Sequence, residues 1–276
     1  MTVTLPTSLA DALVVLDDDP ARVVLAGGTD VMVQINEGAR RPEAVLAVAA
    51  VPELRAVRRE GHELFVGAGV TYTELMREPV APLVPALAQA ARTVGSPQIR
   101  NAGTIGGNLA TASPAGDALP VLVALGATVE LASVSTWRAV PVGEFLTGPK
   151  STALEPGELV LGVRIPVARG PQEYLKVGVR NAMVISVASV ALVVDADAHT
   201  VGVGLGSVGP TALGAPDACA WLAAQGDWHD DAVADEFAKR VADAARPIDD
   251  HRGRASYRRH AVGVMARRAF RRCTTS

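Results

Sequence analysis

Residues Thr104 to Asp117 read TIGGNLATASPAGD, an odd stretch for a chain that is 49% hydrophobic. Adjacent glycines at Gly106 and Gly107 follow Ile105, an amide side chain stands at Asn108, small and hydroxyl residues come next, and a single carboxylate closes the run at Asp117. Paired glycines free the backbone to bring amides close to a ligand. A carboxylate beside a phosphate would be repelled, whereas one displaced along the segment can accept hydrogen bonds from sugar or polyol hydroxyls of the same ligand. A plainer reading is open as well: SPAGDALP is a Pro/Gly turn, with Asp117 capping the helix that follows.

A second glycine pair lies upstream, in VVLAGGTDV from Val23 to Val31. The pattern is a strand running through Gly27 and Gly28 into a helix near Thr29, a place where amides and the helix dipole can hold a phosphate. Strand-to-helix turns also use glycine for backbone freedom alone. Two such turns without a Walker lysine suit a pyrophosphate held from both sides better than a transferable phosphate. A dinucleotide fits that layout.

Composition excludes several alternatives. The net charge of -3 over 276 residues gives no global attraction to nucleic acid or to an anionic membrane. The N-terminus lacks a basic region and carries Asp11 where a signal sequence would be apolar, so the chain reads as cytoplasmic. The longest apolar run, AMVISVASVALVV from Ala182 to Val194, is well short of the ~20 residues that span a bilayer and reads as buried strand. The cysteines, Cys219 and Cys273, cannot supply the four ligands an iron–sulfur cluster usually needs. The five histidines are scattered, so neither a metal site nor a catalytic set is assigned.

Periodicity divides the chain into three units, 1–55, 56–173 and 174–276. The first alternates helix and strand: TSLADALVVLDD with a Thr/Ser cap, the strand RVVLA, and TDVMVQINEG as a helix ended by Gly38. The second opens on a hairpin, AVRREGHELFVGAG, followed by a capping box at Thr71 to Glu74 and a helix ending at Gly95, with the glycine-rich stretch directly after it. ALPVLVALG reads as helix, and ATVELAS, WRAVPV and ELVLGVRIP read as strands. The third unit has strands in VISVASVALVVD and TVGVGLGSVG, then helices near 230–245 and 255–271. Between Arg252 and Arg272 stand eight arginines and no acid, on an amphipathic helix with Ala261, Val264 and Met265 inward. That face is either simply solvated or a docking surface for an acidic partner.

Three segments together, AGGTD (Ala26–Asp30), PQIRNAGTIGGNLATASPAGD (Pro97–Asp117) and RPIDDHRGRASYRRHAVGVMARRA (Arg246–Ala269), resemble the FAD-binding medium subunits of the molybdenum hydroxylases, the xanthine and carbon monoxide dehydrogenase family. The resemblance implies an α+β architecture of the vanillyl-alcohol-oxidase (PCMH) type, with two FAD-binding subdomains and a C-terminal α+β domain. It places Ala26, Gly27, Gly28, Thr29 and Asp30 on one side of the FAD pyrophosphate and Thr104, Ile105, Gly106, Gly107 and Asn108 on the other. Asp117 falls on the family acid near the flavin, and Leu161 and Lys176 fall on positions that contact the isoalloxazine region. On pattern alone Leu161 is a core strand residue and Lys176 a solvated strand-end charge. Where animal relatives carry an aromatic residue before the second turn this chain has Val94, so an aliphatic wall for the flavin is expected.

The role that the resemblance implies is electron transfer: a molybdopterin large subunit hydroxylates the substrate, an iron–sulfur small subunit relays the electrons, and the FAD of this chain passes them to NAD or another acceptor. Two rivals stand beside it: a self-sufficient flavin oxidase or dehydrogenase of the same fold, and a non-catalytic nucleotide-binding module.

Overall fold

The computed structural model describes residues 1–195 and 197–275. Strands β1 (Thr2–Thr4), β2 (Val23–Leu25) and β3 (Ala44–Ala47) form a parallel sheet in the order β1-β3-β2, with α1 (Leu9–Asp18) and α2 (Val31–Asn36) as the crossovers that parallel pairing requires. Ser8 caps α1 by accepting from the Asp11 amide at 3.1 Å, and Ala12, Leu13 and Leu16 turn its apolar stripe inward. Gly38, at φ +73°, closes the turn after α2.

A 3-10 turn at Pro52–Arg55 leads into the hairpin of β4 (Val57–Glu60) and β5 (Glu63–Gly67). Six helices follow: α3 (Tyr72–Leu75), α4 (Val80–Leu83), α5 (Pro85–Thr93), α6 (Pro97–Ala102), α7 (Ile105–Thr111) and α8 (Ala118–Ala124). The capping box of α3 is present, with Thr71 and Glu74 exchanging side-chain-to-backbone bonds. Then come β6 (Thr128–Ala132), β7 (Trp137–Pro141), α9 (Val142–Phe145), the small hairpin of β8 (Leu146–Gly148) and β9 (Ser151–Thr152), and β10 (Leu159–Pro166). The main sheet is antiparallel throughout, in the order β4-β5-β10-β6-β7.

The last sheet is formed by β11 (Gln172–Val177), β12 (Ala188–Asp195), β13 (Thr200–Gly206) and β14 (Leu213–Gly214), antiparallel and in sequence order. Helices α10 (Pro216–Ala223), α11 (Asp231–Ala244) and α12 (Ala255–Thr274) pack on one face around Phe237, Phe270 and Trp228. On the other face the alternating glycines of β13 let α8 lie directly on the sheet: a Cβ at Gly202 or Gly204 would overlap the carbonyls of Ala124 and Pro120. Tyr174 of β11 joins the core of the first two sheets, and its amide donates to Gln89 Oε1 on α5 at 2.6 Å.

Two differences from the sequence reading matter for the site. Helix α6 stands between α5 and the glycine-rich stretch, and the TIGGN segment is itself the start of α7 rather than an open loop. The helical signals of both were masked by Pro97 and by two glycines, which are poor helix interiors but are tolerated in a first turn. Helix α12 is amphipathic as expected, with Ala261 and Met265 buried and Val264 half-buried at the edge of the stripe. Several of its arginines are committed within the chain. Arg258 is buried and donates to the Ser207 carbonyl at 2.6 Å and to Asp250, Arg267 pairs with Asp231 and Asp235, and Arg271 pairs with Asp231. No helix among the described residues is long and apolar enough to cross a membrane.

Candidate functional site

A cleft of about 940 Å³ opens between the end of β2, the start of α7 and the first residues of β10. Its first wall is the turn from Ala26 to Asp30, all five residues of which line it. The geometry there requires glycine twice: Gly28 has φ +72°, and a Cβ at Gly27 would overlap the Ala102 carbonyl at the end of α6. The amides of Gly27, Gly28, Thr29 and Asp30 donate to no group among the described residues. Asp30 occupies the N-cap position of α2 without a side-chain cap bond. This turn therefore lines the cleft with four backbone amides that have no partner among the described residues.

The second wall is different. Ile105 and Gly106 donate to the carbonyls of Val70 and Ala68 at 3.0 and 2.9 Å, Gly107 donates to Thr104 Oγ1 at 3.0 Å, and Asn108 donates to the Thr104 carbonyl at 3.0 Å. Four of the five amides that the sequence reading placed at a ligand are consumed in seating α7, and only the Thr104 amide donates to no group among the described residues. Gly106 is there for packing, since a Cβ would come within 2.7 Å of the Ala68 carbonyl oxygen. At Gly107 an added Cβ would meet only Thr104 Oγ1, at 3.1 Å, so this side of the helix start is open. Thr104, Gly106, Gly107 and Asn108 line the cleft, whereas Ile105 is buried in the core behind it. The side-chain oxygen Oδ1 of Asn108 is buried with no hydrogen-bond partner.

Asp117 lines the cleft at 7% exposure, and its side chain makes no cap bond to α8. The capping alternative is thus ruled out. Its Oδ2 accepts from Lys176 Nζ at 2.6 Å and from Thr93 Oγ1 at 3.4 Å, and its Oδ1 accepts from the Tyr174 hydroxyl at 2.8 Å. Lys176 is equally buried and also donates to the Thr93 carbonyl at 3.3 Å, so it is not the solvated strand-end charge that pattern alone suggested. Burial pushes the Asp117 carboxyl above its ordinary range, and the Lys176 charge, then its hydrogen bond, then Tyr174 and Thr93, oppose that push. The pair fastens β11 to the segment that ends the second wall. Asp117 and Lys176, 59 residues apart, are brought together by the fold.

Leu161 is the extra residue of a β-bulge in β10, where the pairing with β6 shifts register between Val160 and Gly162. Its side chain is buried in the core and its carbonyl accepts from the Ala68 amide at 2.8 Å, while its neighbours Leu159 and Val160 line the cleft. Leu161 thus supports the cleft floor from behind.

Sequence reasoning missed four contributors. Arg40, Lys150 and Arg252 line the cleft and form no ion pair among the described residues. Arg252, with Val184 and Ile185, comes from the third unit, so the cleft has a third wall beyond the two expected. The fourth is Tyr72, at 6% exposure, which gives the cleft an aromatic side chain beside the aliphatic Val94. The capping-box motif pointed to the position of Tyr72 but not to the direction of its ring.

Spare positive charge, uncommitted amides and an orphaned acceptor suit a ligand that is anionic in one part and a hydrogen-bond donor in another. The volume lies within the range of roughly 300 to 1,000 Å³ usual for cofactor sites. Comparison with known proteins agrees. Residues 1–168 match the family model described as the FAD binding domain in molybdopterin dehydrogenase, and residues 173–273 match the CO dehydrogenase flavoprotein C-terminal domain. The chain is 33% identical over 268 residues to the glyceraldehyde dehydrogenase medium chain of Sulfolobus acidocaldarius, covering 96% of this chain and 95% of the relative. It superposes with TM-score 0.92 on a chain of carbon monoxide dehydrogenase from Hydrogenophaga pseudoflava, at 30% identity, covering 100% of this chain and 97% of that one. For quinoline 2-oxidoreductase from Pseudomonas putida the TM-score is also 0.92, at 26% identity, with the same coverage. The protein therefore belongs to the FAD-binding flavoprotein family of the molybdopterin dehydrogenases, a family of oxidoreductases, and its cofactor is FAD.

Proposed function

We propose that this chain is the electron-transfer subunit of a molybdenum hydroxylase complex, standing between iron–sulfur clusters on a small subunit and NAD or another acceptor. When bound, the flavin supplies the two-electron and one-electron chemistry that such a link needs. The chain's task is to bind and orient it. The amides of Gly27, Gly28, Thr29 and Asp30 donate to pyrophosphate oxygens, and Arg40, Lys150 and Arg252 offset the phosphate charge. Thr104, Gly106 and Gly107 shape the opposite wall, and Asn108 Oδ1 accepts from a ligand hydroxyl or amine. Asp117 and Lys176 hold the third unit against the cleft, and Ile105 and Leu161 support it from the core.

The observation that carries this reading is the pairing, across one cleft, of a turn with four uncommitted amides and a buried unpartnered acceptor at Asn108. Substrate oxidation belongs to a partner, because two cysteines cannot ligate a cluster and the substrate pocket of such a complex lies on another polypeptide. The relatives named above carry three different substrates in their names, which is consistent with that division of labour. Cytoplasmic assembly is part of the proposal.

Purification of the full chain tests it. It should carry about one FAD per polypeptide, bleach with dithionite, and turn over no aldehyde, purine or carbon monoxide until two further chains are co-expressed. Turnover by the single chain would return the self-sufficient oxidoreductase. Mixing the flavin-loaded chain anaerobically with NADH tests the acceptor: bleaching supports NAD, and persistent colour points to a different acceptor.

A further inference from the structure

Tyr72 is fixed through its backbone and along one edge of its ring. Its amide donates to the Gly103 carbonyl at 3.0 Å, which ties it to the residue just before the second wall, and Thr71 forms a bridge with Thr104. The ring lies so close against the Gly103 backbone that a Cβ there would be 3.1 and 3.2 Å from ring carbons Cε2 and Cδ2. A ring buried and wedged in this way has little rotamer freedom left to lose on binding a ligand.

The hydroxyl, by contrast, makes no hydrogen bond among the described residues, although the residue lines the cleft. The contrast with Tyr174, which is spent on Asp117, is direct. Burial, and then the carboxylates of Asp117 and Asp30, push the Tyr72 phenol well above its ordinary range, so it stays protonated and remains a hydrogen donor. A fixed, uncommitted donor in a cofactor cleft is placed for an acceptor on the ligand.

We propose that Tyr72 is a positioning residue of the flavin site, donating its phenolic hydrogen to an acceptor oxygen or ring nitrogen of the bound nucleotide. This rests on the assignment of the cleft to FAD and adds a contact outside the two glycine turns. The removal of a hydroxyl that has no partner in the chain should cost the apoprotein nothing, whereas the cofactor complex should lose one hydrogen bond.

The experiment compares the full-length wild type with Tyr72→Phe, each with and without FAD. The apoproteins should melt together, and the dissociation constant for FAD should rise about 3- to 30-fold in the variant, with a smaller FAD-induced rise in melting temperature. A shift in the flavin absorption bands or reduction potential would place the acceptor on the ring, and a change in affinity alone would place it on the phosphates or ribityl chain. The proposal is overturned if both proteins bind FAD equally, or if the variant apoprotein is destabilised or unfolded, since the hydroxyl would then serve the chain. Failure of the wild type itself to bind FAD would instead remove the assignment of the cleft.

Discussion

Gly27–Gly28 and Gly106–Gly107 are near-identical signals in the sequence and do opposite things with the amides around them. At the first pair the backbone leaves β2, turns through a left-handed glycine and exposes four donors that nothing in the described chain uses. At the second pair every amide from Ile105 to Asn108 is taken, two of them by Ala68 and Val70 on the segment after β5. A glycine pair thus signals close approach without saying what approaches. At the first turn the neighbour is the end of α6 on one side and the cleft on the other; at the second it is Ala68. The cleft is asymmetric as a result, with four unpartnered main-chain donors on one wall and, on the other, a helix start with one such amide, that of Thr104, and a side-chain acceptor, Asn108 Oδ1.

This comparison can be broken at its far end first. Asp117→Ala should lower apoprotein stability by about 3 to 5 kcal/mol, because it strands Lys176 as a buried, unpaired charge. Adding Lys176→Met should restore most of that loss in urea denaturation. If the single variant melts like the wild type and only FAD affinity falls, Asp117 serves the ligand rather than the fastening of β11.

Next in size is Gly27→Ala. A methyl group inside the Ala102 carbonyl forces the first turn away from α6, at a cost of about 3 kcal/mol, and FAD binding should disappear. Retention of stoichiometric flavin in this variant would mean that the first wall does not hold the pyrophosphate.

Gly106→Ala should destabilise the apoprotein by about 2 kcal/mol through overlap with Ala68. Cofactor affinity should fall only as far as α7 is displaced. Equal damage to stability and binding by Gly27→Ala and Gly106→Ala would erase the distinction between the walls.

The smallest effect on the fold is expected at Gly107→Ala, within about 0.5 kcal/mol of wild type, since the added methyl meets only Thr104 Oγ1 and alanine favours the helix. Isothermal titration with FAD should nevertheless show weaker binding, because the methyl sits on the open side of the second wall. Unchanged affinity would place the ligand away from Gly107.

Much of this architecture was legible because it rests on short-range physics. The caps at Ser8 and Thr71, the β4–β5 hairpin and the amphipathic stripe of α12 each follow from residues within a turn or two of one another. The same locality explains the misses. Helix α6 and the start of α7 carry proline and glycine, which weaken the local signal, and they are held by bonds to Val70, Ala68 and Gly103 that no window of sequence contains. Tyr72 escaped because a capping box fixes where a helix begins but not which side chain lines a cleft some thirty residues away in the chain.

By itself the sequence determined the layered α+β order of elements, the family to which the chain belongs, and the two glycine pairs as the places of close approach. Only the tertiary structure decided which amides remain available, since an amide's commitment depends on whether a distant carbonyl reaches it. It also decided that Asp117 pairs with Lys176 rather than capping α8, that Leu161 sits in a bulge behind the cleft, and that the third unit contributes Arg252 to its rim. Composition and spacing carry the chemistry of each group, but charge pairing and burial are properties of distances across the fold.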